Sequence, residues 1–358
     1  LAEAGIIVST DLAKNLARAK RRLARNPASA KKFYKGEEGN YEVGEVFRQP
    51  DLAATLARIA TNGPQEFYAG RTAELIVAEM AANNGLISMD DLNNYQVVER
   101  APVRGTYRGH EVVSMPPPSS GGVHIIQMLN MLEGFDLNAA GFGSALNIHR
   151  FAEVMKYAYA DRSKHLGDPD FYHVPQDWLM DKQYAKILAA NISDDTATPS
   201  KSILPGEPGA YESPDTTHYS IMDSMGNAVA NTYTLNFSYG SGITVPGTGM
   251  LINNEMDDFS AKPGVPNAYG LLGADANAIE AHKRPLSSMT PTIVFKEGAP
   301  WLVTGSPGGS RIISIVLQQI INVVDFGMNS ADAAARPRMH HQWEPDRLQL
   351  DPGFSPDS

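Results

Sequence analysis

The chain changes character midway, and this limits what it can form more than any other feature. Up to Ala190 apolar residues recur at helical spacing, and beyond a polar connector the pattern turns to strands. Residues 11–25 follow Ser9-Thr10, a capping signal, and place Leu12, Leu16 and Leu23 near one face. Residues 51–61, 70–83, 122–134 and 145–166 read as further helices, stopped by Asn62-Gly63-Pro64, Asn84-Gly85 and Gly167-Asp168-Pro169. Residues 14–32 hold eight basic side chains and no acid, which reads as a solvated helix face. Residues 191–215 are dominated by turn-forming and polar types and read as a connector. Strands then begin at once. Residues 216–222, a turn at 223–227 and a return over 228–236 predict a β-hairpin centred near position 225. That centre puts Thr216 across from Thr234 at the open end, so two hydroxyls meet there. Further strands are predicted at 248–253, 291–296 and 301–304, and a helix at 310–325.

Composition removes several kinds of chemistry. With 358 residues the chain can bury a sizeable core without disulfides or metal. It has no cysteine, so thiolate nucleophiles, Cys-ligated zinc and iron–sulfur clusters are excluded. Its net charge of −10 argues against nucleic acid as a partner, because such binding rests on clustered Lys and Arg. The longest uncharged stretch, 224–254, is too rich in Asn, Thr and Gly to span a membrane. The chain starts at Leu1 without Met and stops just after a turn signal, so a fragment lacking both outer ends is expected.

A nucleophile is suggested at Asp215-Thr216-Thr217-His218-Tyr219-Ser220. Thr216, His218 and Ser220 share a strand face, but side chains two apart on one strand seldom bring hydroxyl and imidazole into line. A chain cut before Thr216 solves the problem differently. The new α-amine, with a pKa of about 7.7 to 8, is a base for its own hydroxyl. Glu255, Asp257 and Asp258 put three carboxylates into four positions, suited to an ammonium group and lacking the spacing of a calcium loop. Ser287 and Ser288 are adjacent hydroxyl donors suited to a carboxylate. Gly305-Ser-Pro-Gly-Gly-Ser-Arg311 precedes an apolar helix and can offer unhindered N–H groups to an oxyanion, while lacking the ending of a phosphate loop. His340-His341 beside Trp343 reads as structural, because no third ligand has metal spacing. Pro116-Pro-Pro-Ser-Ser-Gly-Gly122 reads as a rigid turn opening a helix, with Ser119 and Ser120 near enough to the chemistry to note.

These segments, with Tyr157-Ala-Tyr-Ala-Asp-Arg162, Tyr233-Thr-Leu-Asn236, Asn253-Asn-Glu-Met-Asp-Asp-Phe-Ser-Ala-Lys-Pro-Gly264 and Lys283-Arg-Pro-Leu-Ser-Ser-Met289, occur in the order and spacing of one family. The chain resembles γ-glutamyltranspeptidase over essentially its whole length. The resemblance implies an N-terminal-nucleophile hydrolase, an α+β protein built as a four-layer αββα sandwich. A precursor would cut itself between Asp215 and Thr216, giving residues 1–215 of a large subunit and 216–358 of a small catalytic one, intertwined in a single domain. By the same resemblance Thr216 is nucleophile and base, and Thr234 supports it. Asn236, Glu255 and Asp258 hold the substrate's α-amino group, Ser287 and Ser288 its α-carboxylate, and the N–H groups of Gly308 and Gly309 the oxyanion. Tyr269 lies in the lid loop. The implied substrates are glutathione and other γ-glutamyl amides, with water or amino acids as acceptors. No cofactor and no metal are implied, and the implied compartment is periplasmic or extracellular. An arginine that the family carries in its N-terminal portion has no counterpart in this chain. Two other functions compete: a cephalosporin or glutaryl acylase of the same fold, and an unprocessed, non-catalytic binding protein.

Overall fold

The computed structural model describes residues 1–36, 39–204, 216–262, 264–265, 267–268, 270–355 and 357. The chain forms two compact units, each drawing on both sides of residue 215. One combines residues 1–99 with 237–254, and the other combines 100–236 with 255–358.

The smaller unit is helical, with Thr10–Leu23, Pro27–Phe33, Pro50–Asn62 and Arg71–Ala82 as its main segments. The first begins as its sequence predicts, with the Ser9 hydroxyl accepting from Leu12 N at 3.1 Å. Leu16 and Leu23 turn inward onto Val8, Phe33, Tyr34 and Phe47, while most of the basic side chains of 14–32 face out. The strand expected at 248–253 does not form. Gly247 and Gly249 both adopt positive φ, +74° and +67°, and turn the chain, leaving one bridge between Thr244 and Leu251.

The larger unit is built on a four-stranded antiparallel sheet in the order Val103–Tyr107, His110–Ser114, Thr292–Lys296, Ala299–Thr304. The first two strands were not foreseen. They join through Arg108-Gly109, both at positive φ (50° and 82°), a two-residue turn whose twist suits a hairpin. The Gly121–Leu132 helix packs on these strands, and Ala145–His165 and Arg311–Val324 pack on that helix. Gly121 is required by close approach, because a Cβ there would lie 2.5 Å from the Met289 carbonyl. The predicted hairpin, Thr217–Met222 with Ala228–Tyr233, forms and packs against the Ala299–Thr304 strand. Its register pairs Thr217 with Tyr233 and Ile221 with Val229, symmetric about position 225 as expected.

A buried polar chain crosses the helical layer. His124 Nδ1 meets Gln127 Oε1 at 2.8 Å, and Asp161 Oδ2 accepts from Gln127 Nε2 at 2.6 Å and from the Tyr184 hydroxyl at 2.9 Å. Burial pushes the Asp161 carboxyl up to about 6. A carboxyl whose pKa is higher folded than unfolded costs nothing below the unfolded value, and its penalty is complete above the folded one. Asp161→Asn keeps an oxygen for both donors and is therefore expected to raise stability at pH 8 by up to about 3 kcal/mol. Melting midpoints should converge with wild type below about pH 4; an equal gain at both pH values would show that the charge is not the cause.

Among the described residues, no helix is long and apolar enough to cross a membrane.

Candidate active site

One recess gathers most of the predicted residues, and it lies wholly within the larger unit. Thr216, Thr234, Asn236, Asp258, Ser287, Ser288 and Gly309 line it, together with Arg162. The hairpin register brings the first pair together: Thr216 Oγ1 donates to Thr234 Oγ1 at 3.4 Å. Thr234 Oγ1 also accepts from Asn236 N at 2.9 Å, a tight turn in which Asn236 takes φ +70°. His218 does not serve Thr216. Its Nδ1 engages Thr232 Oγ1 at 2.8 Å and its Nε2 engages Ser220 Oγ at 3.0 Å, so the ring is committed within its own hairpin.

The acidic end of the recess comes from the short 3-10 turn Glu255–Asp258. The two terminal carboxyls hydrogen-bond to each other, and both titrate above their ordinary range. For Asp258 burial is the main cause and the Glu255 charge the next, with Arg162 pulling the other way. Burial and like charge favour the neutral form of the pair, and a cation beside it would favour the charged form.

The recess also holds a hydroxyl pair with its protons left to give. Ser287 Oγ accepts from Met289 N at 3.0 Å, and Ser288 Oγ accepts from Arg162 Nη2 at 3.0 Å. With those lone pairs taken, each O–H is free to donate into the recess. Arg162 was missed as a site residue. The residue is 4 % exposed, and burial lowers its guanidinium to about 10, so it remains charged at neutral pH. Its Nε donates to Ser120 Oγ at 2.9 Å, and Ser120 in turn donates to the Ser287 carbonyl at 2.8 Å. Ser119 and Ser120 are therefore fully buried supports behind the hydroxyl pair, outside the recess lining.

Gly308 and Gly309 take φ +138° and +54°, conformations that favour glycine, and their carbonyls open the Arg311–Val324 helix by accepting from Arg311 N and Ile312 N. Among the described residues nothing accepts from their own N–H groups. Gly309 lines the recess, with Gly308 immediately before it. Tyr269 and Asp215 lie outside the described residues. His340 and His341 bond to Ser314 Oγ and Asp346 Oδ1, and among the described residues no group of three or more His, Asp or Glu side chains is placed to hold a metal ion.

Chemically, the recess brings together a hydroxyl nucleophile, a carboxyl that can take a cation, a hydroxyl pair that can take a carboxylate, and a glycine backbone that can offer N–H groups. Known proteins resemble this chain in sequence and fold. The γ-glutamyltranspeptidase family profile matches residues 1–358. The glutathione hydrolase proenzyme of Escherichia coli is 54 % identical over 358 residues, covering 100 % of this chain and 62 % of that protein. The acylase ACY 1 proenzyme of a Pseudomonas species is 41 % identical over 339 residues, covering 95 % of this chain and 58 % of that protein. The crystal structure of a cephalosporin acylase from Bacillus halodurans superposes with a TM-score of 0.84 at 27 % identity, over 99 % of this chain and 63 % of its own. The chain thus spans about 60 % of the length of these relatives and has the α+β sandwich fold of N-terminal-nucleophile hydrolases. With the whole chain matched and the hydroxyl, carboxyl and glycine elements assembled in one recess, the chain belongs to the γ-glutamyltranspeptidase family.

Proposed function

We propose that the full-length protein is a γ-glutamyl hydrolase and transferase acting on glutathione and other γ-glutamyl amides. It matures by autocleavage between Asp215 and Thr216, and the resulting large and small subunits stay together. One observation carries this: Asp258, hydrogen-bonded to Glu255, and the hydroxyl pair Ser287–Ser288 line the same recess as Thr216, complementary to the ammonium and carboxylate of an amino-acid head group. Family membership supports it further.

After cleavage the neutral fraction of the Thr216 amine takes the proton from Oγ1, which attacks the γ-carbonyl carbon. Thr234 holds the hydroxyl in line. The carbonyl oxygen becomes an oxyanion against the Gly308 and Gly309 N–H groups, which are worth most where they meet charge that develops only in the transition state. Collapse breaks the amide bond, the ammonium on Thr216 returns its proton to the leaving amine, and a γ-glutamyl ester remains. Water or an acceptor amine then repeats the sequence in reverse. Asn236 and the carboxyl pair hold the α-ammonium. A periplasmic or extracellular location belongs to the same proposal and rests on family membership.

The acylase relatives keep a glutaryl acyl donor as the rival. A glutaryl group has no ammonium, so it would leave the carboxyl pair without a cation. Release of p-nitroaniline from the γ-glutamyl anilide is expected to exceed release from the glutaryl anilide by at least about tenfold in kcat/KM. The opposite order would assign the protein to the acylases.

A further inference from the structure

His340-His341-Gln342-Trp343 supplies neither the nucleophile nor the carboxyl pair, yet all four residues are buried. Their hydrogen bonds run to two separate places. On one side, Ser310 Oγ donates to Gln342 Oε1 at 2.9 Å, and His340 Nε2 approaches the same oxygen at 3.2 Å. Ser310 follows Gly308-Gly309 directly and lines the recess, and its carbonyl accepts from the Tyr159 hydroxyl. On the other side, Trp343 Nε1 donates to the Ser200 carbonyl at 2.9 Å, while Ser200 N donates to Asp346 Oδ2 at 2.9 Å. Both backbone groups of Ser200 are thus taken by one short segment.

His341 ties that segment together. Trp343 N donates to its Nδ1 at 3.1 Å, which leaves the proton on Nε2 for Asp346 Oδ1 at 3.2 Å. Burial lowers this imidazole to about 4, so the ring stays neutral and keeps that tautomer. Thr198 is gripped in the same manner just upstream: its N–H donates to Glu153 Oε1 at 3.1 Å and its carbonyl accepts from Lys156 Nζ at 2.8 Å, the two side chains forming a buried ion pair. Trp343 also holds φ +68°, a conformation a bulky residue keeps only where its surroundings over-determine it. Residues 198–200 are the anchored part of the chain leading to the Asp215–Thr216 junction.

We propose that residues 339–346 form a two-sided clamp in which Gln342 positions Ser310, and with it the Gly308–Gly309 donors, while Trp343 and Asp346 anchor the chain that delivers the cleavage junction. The proposal rests on the autocleavage reading above. Gln342 and Trp343 are positioning residues, because neither touches the reacting atoms.

Two variants of the full-length protein separate the two sides. Trp343→Phe keeps the ring and removes the Nε1–H donor. It is expected to slow conversion of precursor to fragments about tenfold, the size of effect from one lost hydrogen bond, with kcat and KM of the purified cleaved enzyme unchanged. Gln342→Met is expected to lower kcat for the γ-glutamyl anilide about tenfold at unchanged KM, and Gln342→Glu, which keeps an acceptor oxygen for Ser310, should recover most of it. A segment that merely supports folding would depress processing, kcat and KM together in both variants, and that pattern would overturn the clamp. So would processing of Trp343→Phe at the wild-type rate beside a wild type that cleaves normally. A wild type that never cleaves would overturn the autocleavage reading and the clamp with it.

Discussion

Thr216→Ala is expected to leave the full-length protein as one uncut polypeptide and to abolish hydrolysis and transfer together. Both losses have one cause, since the same hydroxyl breaks the chain and later carries the acyl group, and the amine that activates it exists only after the cut. Turnover should fall by at least about 10⁴-fold, because nucleophile and general base vanish in one substitution. Thr216→Ser separates chemistry from packing. It keeps hydroxyl and amine and loses only the methyl, so it should still cleave and turn over, at reduced rate. Gel analysis during maturation and p-nitroanilide kinetics read both. An alanine variant that keeps activity within about tenfold of wild type would move the nucleophile elsewhere, with Ser220 beside His218 the first place to look.

Asp258→Asn is expected to lower kcat/KM for the γ-glutamyl anilide by about 10³-fold, chiefly through KM, while barely changing the glutaryl anilide. Removing one partner of a buried charged contact costs about 3–5 kcal/mol, because the other charge is left uncompensated. The amide preserves shape and one acceptor oxygen, so the loss reports charge. A pH dependence accompanies it. Burial and Glu255 raise the Asp258 carboxyl well above the ordinary range, and it must be ionised to receive the substrate's ammonium. In the wild type, kcat/KM for the γ-glutamyl donor should therefore decline as pH falls through that raised value, on an acid limb lying above the usual carboxylate range. Asp258→Asn should remove this contribution for the γ-glutamyl donor and leave the acid limb that the Thr216 amine sets. Equal losses on both anilides would sever Asp258 from recognition of the ammonium.

Much of the site was legible because the relevant contacts are local or symmetric. A hairpin centred on position 225 is fixed by its turn residues, and period-two alternation then carries Thr216 to Thr234 without further information. Glu255 with Asp258, Ser287 with Ser288, and Gly308 with Gly309 are each adjacent or one turn apart, so composition alone marks them. Arg162 was not legible as a site residue. It sits inside a long helix and meets Ser120 and Ser288 only through tertiary packing, at 42 and 126 residues' separation. The cation buried behind the hydroxyl pair comes from this helix. Two errors in the strands have the same physical origin, the sign of φ at turns. Gly247 and Gly249 bend a segment whose composition suits a strand, and Arg108-Gly109 closes a hairpin without the Asn-Gly or Asp-Gly signature that would have announced it. The link of the His340-His341-Gln342-Trp343 motif to Ser200 and Ser310 spans well over one hundred residues in one direction and about thirty in the other, beyond any local signal.

The most direct test is the intact mass of the full-length wild-type protein after purification. Two polypeptides are expected, divided between Asp215 and Thr216, the second carrying a free Thr216 amine and gaining a γ-glutamyl group when quenched during turnover. A folded protein that remains a single chain, or an acyl adduct on any residue other than Thr216, would contradict the assignment.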